Sequence, residues 1–245
     1  MNKDEEFQFS DNVFITPILL VILLWFIYWL EIKFQWNFNK YGVYPRTFKG
    51  LRGVFTTHFI HSNTSHLFNN SLPLLVLSAS LFYFYKKVAL KVLVYGGLLT
   101  GFITWLIARP SYHIGASGIV YLLFSFVFFS GIIKKHYRLV AMSLITIFLY
   151  GSMIWYVFPI KEGMSWEGHL SGFLVGICLA YMYRKQGVIK QEYVFTKTAF
   201  DDMFDEDGNY VPPPVAPEEE VTTEQVFTSK LEAIRLHYLY KTEEE

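Results

Sequence analysis

Residues 163–183 read G-M-S-W-E-G-H-L-S-G-F-L-V-G-I-C-L-A-Y-M-Y. At about 1.5 Å rise per residue, a helix of about 20 residues crosses a hydrocarbon core of about 30 Å. Gly168, Gly172 and Gly176 recur every fourth residue, a stripe of small side chains that lets helix backbones approach closely. His169 sits beside that stripe. A polar ring inside a membrane-length run is costly, so its presence is informative.

Working outward, five more apolar runs of similar length occur near Val13–Ile32, His66–Tyr85, Val88–Ala108, Ile114–Ile133 and Leu139–Phe158. They are continuously apolar, without the alternation of a membrane barrel, so helices are the expected spanning form. The expected fold is an all-α membrane protein of six spans. The flank Met1–Asp11 is net acidic and no small-residue cleavage pattern follows the first run, which therefore reads as a retained helix rather than a signal peptide.

Composition agrees. Of 245 residues, 53% are hydrophobic, 19% aromatic and 17% charged, which excludes a disordered chain. The formal net charge is zero, which argues against a nucleic-acid binder. The single cysteine, Cys178, rules out an internal disulfide or a zinc ribbon and reads as a small packing residue. No HExxH occurs and paired intramembrane aspartates are absent, so neither a metal nor a cofactor is expected.

The zero charge hides an asymmetry. Residues 187–245 carry 5 Lys/Arg against 14 Asp/Glu, and residues 1–186 carry 16 against 7. The chain divides into a membrane domain, 1–186, and an acidic polar tail, 187–245. Lys86, Lys87 and Lys91, then Lys134, Lys135 and Arg138, then Arg184, Lys185 and Lys190 fall on one side of the spans. By the positive-inside rule that side is cytoplasmic, and with six spans both termini are too. The first loop disagrees, with Lys33, Lys40, Arg46, Lys49 and Arg52, and reads as a layer folded on its own.

Three polar clusters then fall at similar depth. They are H-S-N-T-S-H-L-F-N-N with His61, His66 and Asn70; G-A-S-G, Gly115 to Gly118, with Ser117 about one turn inside its span; and G-H-L-S-G-F-L-V-G from Gly168. A serine hydroxyl is a weak nucleophile and needs an adjacent base, most often histidine. An oxyanion needs preorganised donors, which Asn, His and a helix-start N–H supply. His66 and Asn70 share one helix face, as do Ser117 and Tyr121. Tyr121 is placed to pack on the His169 ring. Each piece has a plain structural reading: G-x-S-G in a membrane helix is ordinarily packing, a membrane histidine ordinarily braces a bundle, and His58 and His61 read as braces of loop one. Glu162 and Glu167 fall in the fifth loop and are given no role. The conjunction carries the chemistry.

As a set, these motifs resemble the rhomboid family of intramembrane serine proteases over roughly residues 45–180. The resemblance rests on F-T-T-H-F-I-H with the His66/Asn70 pair, on G-A-S-G with Tyr121 four residues after the serine, and on G-H-L-S-G-F-L-V-G. It implies a six-helix rhomboid-like bundle with Ser117 as nucleophile and His169 as general base. It implies an oxyanion hole of His66, Asn70 and the Ser117 N–H, with Tyr121 stacked on His169. His61 would support loop one, and Gly115, Gly118 and Gly172 the packing around the serine. It also implies a water-filled site open to the outer face and a gate near span five that admits transmembrane protein substrates from the lipid. The chain departs from the family pattern at Leu51-Arg52, where a Trp-Arg pair is common, and at Ile114, where glycine is common.

The tail contains D-D-M-F-D-E-D-G-N-Y, whose spacing fails a calcium loop, because aligning Gly208 puts Met203 and Pro214 at ligand positions. A proline linker follows, then an amphipathic stretch near Glu224–Tyr240 suited to a cytoplasmic partner. The tail is expected to be mostly disordered or short-helical. Two function classes remain: an intramembrane endopeptidase of a bacterial inner membrane, and a non-catalytic rhomboid-like chaperone or dislocation factor that binds client helices. The second class usually lacks the serine or the histidine, and both are present here. A transporter would need intramembrane carboxylates or inverted repeats, and neither is read here.

Overall fold

A computed structural model describes residues 10–150, 153–187 and 197–211. Those residues are helical, with two isolated bridge pairs and no named strand among them. The helices are α1 (Asn12–Lys33), α2 (Phe48–Leu51), α3 (Gly53–Thr56), α4 (Thr64–Phe84), α5 (Ala89–Ile107), α6 (Ser117–Lys134), α7 (Tyr137–Tyr150) and α8 (Trp166–Met182). The chain divides into two compact units, Met1–Gln191 and Glu192–Glu245.

Four helices, α1, α4, α5 and α6, are long and apolar enough to cross a membrane. The other two of the six expected spans are shorter helices. α7 has 14 residues and α8 has 17, about 21 and 26 Å at 1.5 Å per residue. The run expected to cross at Leu139–Phe158 ends its helix at Tyr150, beside Gly151, and Met153–Val157 is a 3-10 turn. The last span begins at Trp166 rather than Gly163, after a segment holding the helix breakers Pro159 and Gly163.

α6 is the hub. It packs against α4, α5, α7 and, most extensively, α8, while α1 lies on α4. Leu122, Leu123, Phe124, Phe126 and Val127 of α6 are buried. The intimacy of α6 and α8 comes from glycine. A Cβ on Gly172 would collide with the Gly118 carbonyl oxygen, and one on Gly176 with Ser125 Oγ and the Leu122 carbonyl. At Gly168, the third member of the stripe, a Cβ would instead stand 2.9 Å from Ser165 Oγ of its own chain segment. Cys178, expected inside, is exposed on the outer face of α8.

Loop one is a layer of its own. Thr47 caps α2 by accepting from the Gly50 N–H. Arg46 Nη1 donates to the carbonyls of Leu106 and Ala108, and Arg52 Nη2 to that of Lys40, with its guanidinium 4.6 Å from the Tyr41 ring centroid. Two of the five cations that broke the charge pattern are thus spent on carbonyls as structural pins. Arg52 does this without the expected Trp neighbour. Ile114 fits in place of a glycine because Gly42 is bare: a Cβ there would come within 2.5 Å of Ile114 Cγ2.

In the second unit, Asp201–Met203 forms a 3-10 turn whose Asp201 accepts from Thr198 N and Oγ1. Asp205 closes a local turn by accepting from the N–H groups of Asp207 and Asn209. Its carboxylate is thereby occupied by its own local turn, including the Asn209 side chain. The proline linker beyond Val211 and the stretch near Glu224–Tyr240 lie outside the described residues.

If Gly172 sets the α6–α8 distance, Gly172→Val must push the helices apart. The expected loss is about 1–3 kcal/mol from overpacking, read as a lower thermal midpoint in detergent. Gly97→Ala, where an added Cβ would make only ordinary contact with Ile119 at 3.5 Å, should cost less.

Candidate active site

Close packing of α6 and α8 places two side chains face to face. Ser117 is the first residue of α6, with Ala116 as its N-cap, rather than one turn inside as the sequence spacing suggested. Its N–H therefore has no intrahelical acceptor. His169 lies in the first turn of α8 and is only 5% exposed. His169 Nε2 is 2.9 Å from Ser117 Oγ, and His169 Nδ1 is 2.8 Å from the Tyr156 carbonyl oxygen.

The second contact fixes the tautomer. A carbonyl only accepts, so Nδ1 must carry the hydrogen, and in a neutral ring Nε2 is then the free acceptor. The Ser117 hydroxyl donates to it. The Tyr121 ring stacks on His169 with centroids 4.4 Å apart and an interplanar angle of 15°. The imidazole is held by a hydrogen bond at one nitrogen and a ring against its face.

Across the serine lies α4. Asn63 caps it, its side chain accepting from the His66 N–H at 2.8 Å. His66 and Asn70, one turn apart, both approach Gly115. A Cβ on Gly115 would stand 2.7 Å from His66 Nε2 and 3.7 Å from Asn70 Nδ2. Gly115 also has φ +118°, which side-chain-bearing residues rarely adopt. Asn70 is 6% exposed and its Nδ2 is buried without a hydrogen-bond partner. A buried donor without an acceptor costs free energy, and such groups mark functional positions.

Loop one clamps the strand that leads into Ser117. His113 and Val43 exchange backbone hydrogen bonds at 2.8 and 3.0 Å. Thr57 Oγ1 donates to the His113 carbonyl, and the Thr57 carbonyl accepts from the Gly115 N–H. His61 Nε2 accepts from the Ala116 N–H at 3.3 Å. That role needs a neutral ring. Burial first, then the His66 ring, pushes His61 down to about 3. His58, which donates from Nε2 to the Gly97 carbonyl, is pushed down by burial to about 4.

A second clamp was not foreseen. Glu167, read as a loop residue with no role, lies in the first turn of α8 and is 1% exposed. Its Oε1 accepts from the Arg109 N–H at 3.2 Å and pairs with Arg109 Nη1 at 3.3 Å. Arg109 Nη2 donates to the Met164 carbonyl. His113 Nε2 donates to the Arg109 carbonyl, and its Nδ1 takes the Ser165 hydroxyl at 2.6 Å. The loop four residues before Ser117 is thus bolted to the segment just before His169. The one signal in the sequence was an acidic residue two positions before that histidine. Tyr156 could not be found, because a backbone carbonyl has no residue signature.

No group of three or more His, Cys, Asp or Glu side chains able to hold a metal exists among the described residues.

A family model, the Rhomboid domain, matches residues 49–186. The chain belongs to the rhomboid family. With its four spanning-length helices, this rhomboid protein is an integral membrane protein. It is similar to an uncharacterized protein of Mycobacterium tuberculosis, 31% identical over 181 residues, covering 68% of this chain and 73% of the relative. A Mycobacterium bovis protein matches to the same extent, and one of Mycobacterium leprae is 27% identical over 183 residues, covering 69% and 70%. The rhomboid match spans α2 to α8 and includes every polar group placed around Ser117.

His61, His58 and His113, whose imidazole burial also lowers, are neutral in the fold. The unfolded chain binds their protons first, near pH 6.5. Stability is then full above about 6.5 and falls as pH drops toward 4. His61→Gln, which keeps an acceptor for Ala116, should flatten that acid limb in a series of thermal unfolding measurements. Arg109→Ala strands a buried carboxylate and should cost about 3 kcal/mol, with Arg109→Ala/Glu167→Gln recovering part of it.

Proposed function

We propose that this rhomboid protein is an intramembrane serine endopeptidase that cleaves a peptide bond in or near the membrane helix of a protein substrate. The observation that carries the reading is the 2.9 Å contact of His169 Nε2 with Ser117 Oγ, in the tautomer fixed by Tyr156. Ser117 Oγ attacks the scissile carbonyl carbon and its proton passes to His169 Nε2. The imidazolium that forms shares its Nδ1 hydrogen with the Tyr156 carbonyl, which does the orienting work an aspartate does in a triad. The oxygen of the tetrahedral intermediate takes donors from Asn70 Nδ2, His66 Nε2 and the Ser117 N–H. Collapse expels the amine, which takes the proton from His169. Water then hydrolyses the acyl-enzyme by the same route.

The buried, unpartnered Asn70 Nδ2 supports the oxyanion assignment, because a donor kept idle in the resting protein is available to the transition state. The shortness of α7 suits lateral entry of a substrate helix. α7 and α8 would complete a six-helix bundle in a bacterial inner membrane, with both termini cytoplasmic. Ser117 and His169 in mutual contact favour catalysis over a purely client-binding role.

In vesicles carrying a single-span substrate, Ser117→Ala and His169→Ala should each lower cleavage at least about 10⁴-fold. Asn70→Ala should lower kcat about 10²-fold with little change in KM. Cleavage that persists in Ser117→Ala would refute the assignment.

A further inference from the structure

Among the buried oxygens without a hydrogen-bond partner are Glu31 Oε2, at the end of α1, and Asn39 Oδ1, in loop one. Unpartnered acceptors in a folded protein ask for an explanation. Both residues line one pocket of about 260 Å³, together with Tyr28, Trp36 and His61. That is close to the lower end of ligand-sized cavities, roughly 300 Å³. The other Glu31 oxygen is committed, accepting from the Phe38 N–H at 2.8 Å, so the carboxylate is held in place with one oxygen free.

The lining selects a chemistry. A carboxylate oxygen and an amide oxygen, both acceptors, require a ligand that donates. The carboxylate favours a cation. Tyr28 and Trp36 add aromatic walls, which attract organic ammonium groups. A hard divalent ion takes six or more oxygen ligands, and this lining, which also includes Gln35, Asn37 and Ser62, has a single carboxylate. A quaternary ammonium has the charge but no N–H to give. A primary ammonium satisfies both.

The position selects a source. The pocket opens where α1 leaves the membrane, and its neighbours Ile32, Phe34 and Trp36 are each more than half exposed. Aromatic side chains at a helix end settle at the headgroup level of a bilayer. We propose that this pocket is a binding site for a primary ammonium group, supplied by the headgroup of an aminophospholipid. The ammonium donates to Glu31 Oε2 and Asn39 Oδ1 and lies against Trp36. The far wall is His61, whose Nε2 holds the Ala116 amide beside Ser117, so an occupied pocket would buttress the loop that carries the serine.

The test is native mass spectrometry of the full chain in detergent, titrated with phosphatidylethanolamine or with phosphatidylcholine of the same acyl chains. Wild type should bind the ethanolamine lipid at least tenfold more tightly. Glu31→Gln, which keeps the Phe38 contact and the side-chain size, should abolish the preference. If Glu31→Gln fails to fold, Asn39→Ala removes the second acceptor without touching α1 and should weaken the preference as well. Soluble phosphoethanolamine that displaces the lipid at equal concentration would support the ammonium site and move its source to the aqueous phase. Equal binding of the two lipids by wild type, or a preference unchanged in the variants, would overturn the proposal.

Discussion

Everything at the candidate site depends on one distance, the gap between α6 and α8. Ser117 opens one helix and His169 lies in the first turn of the other, so their contact is only as short as the helices are close. Gly172 has no side chain, and the Gly118 carbonyl occupies the space one would need. In a membrane, water does not drive two apolar helices together, because lipid is as apolar as leucine. Backbone contact and dispersion must do it, and glycine is what permits both. The stripe is therefore part of the geometry of the candidate site, not only of the fold.

Closeness alone does not set the orientation of Ser117 against His169. The residues before Ser117 are fixed from two sides. Loop one holds them through Val43, Thr57 and His61, all at backbone groups. The Arg109–Glu167 pair and the His113–Ser165 hydrogen bond hold them to the start of α8. These links are polar and mostly buried, where an unmade bond costs more than in water. They tolerate little rearrangement, which suits a site that must keep a serine and a histidine within hydrogen-bond reach.

Much of this was legible in the sequence because membranes impose simple rules. Apolar length marks the helices, and polar residues at matching depth single out Ser117, His169, His66, Asn70 and Tyr121, which the fold brings close together. Helix ends were less legible. α7 and α8 are shorter than their apolar runs, since Gly151, Pro159 and Gly163 outweigh hydropathy there. Cys178 was misread because both faces of an apolar helix look alike in sequence when one of them meets lipid. Arg46 and Arg52, which depart from the orientation pattern in sequence, serve with Arg109 as pins for carbonyls and a buried carboxylate. The group that orients His169 is a carbonyl, and every residue has one.

The most direct test of the account is labelling of the purified, detergent-solubilised protein with a fluorophosphonate, followed by peptide mapping of the modified residue. The reagent reacts with a serine whose hydroxyl is activated by a neighbouring base. The account predicts a single adduct on Ser117 that disappears in His169→Ala. An adduct on another serine, or labelling of Ser117 that survives loss of His169, would contradict it.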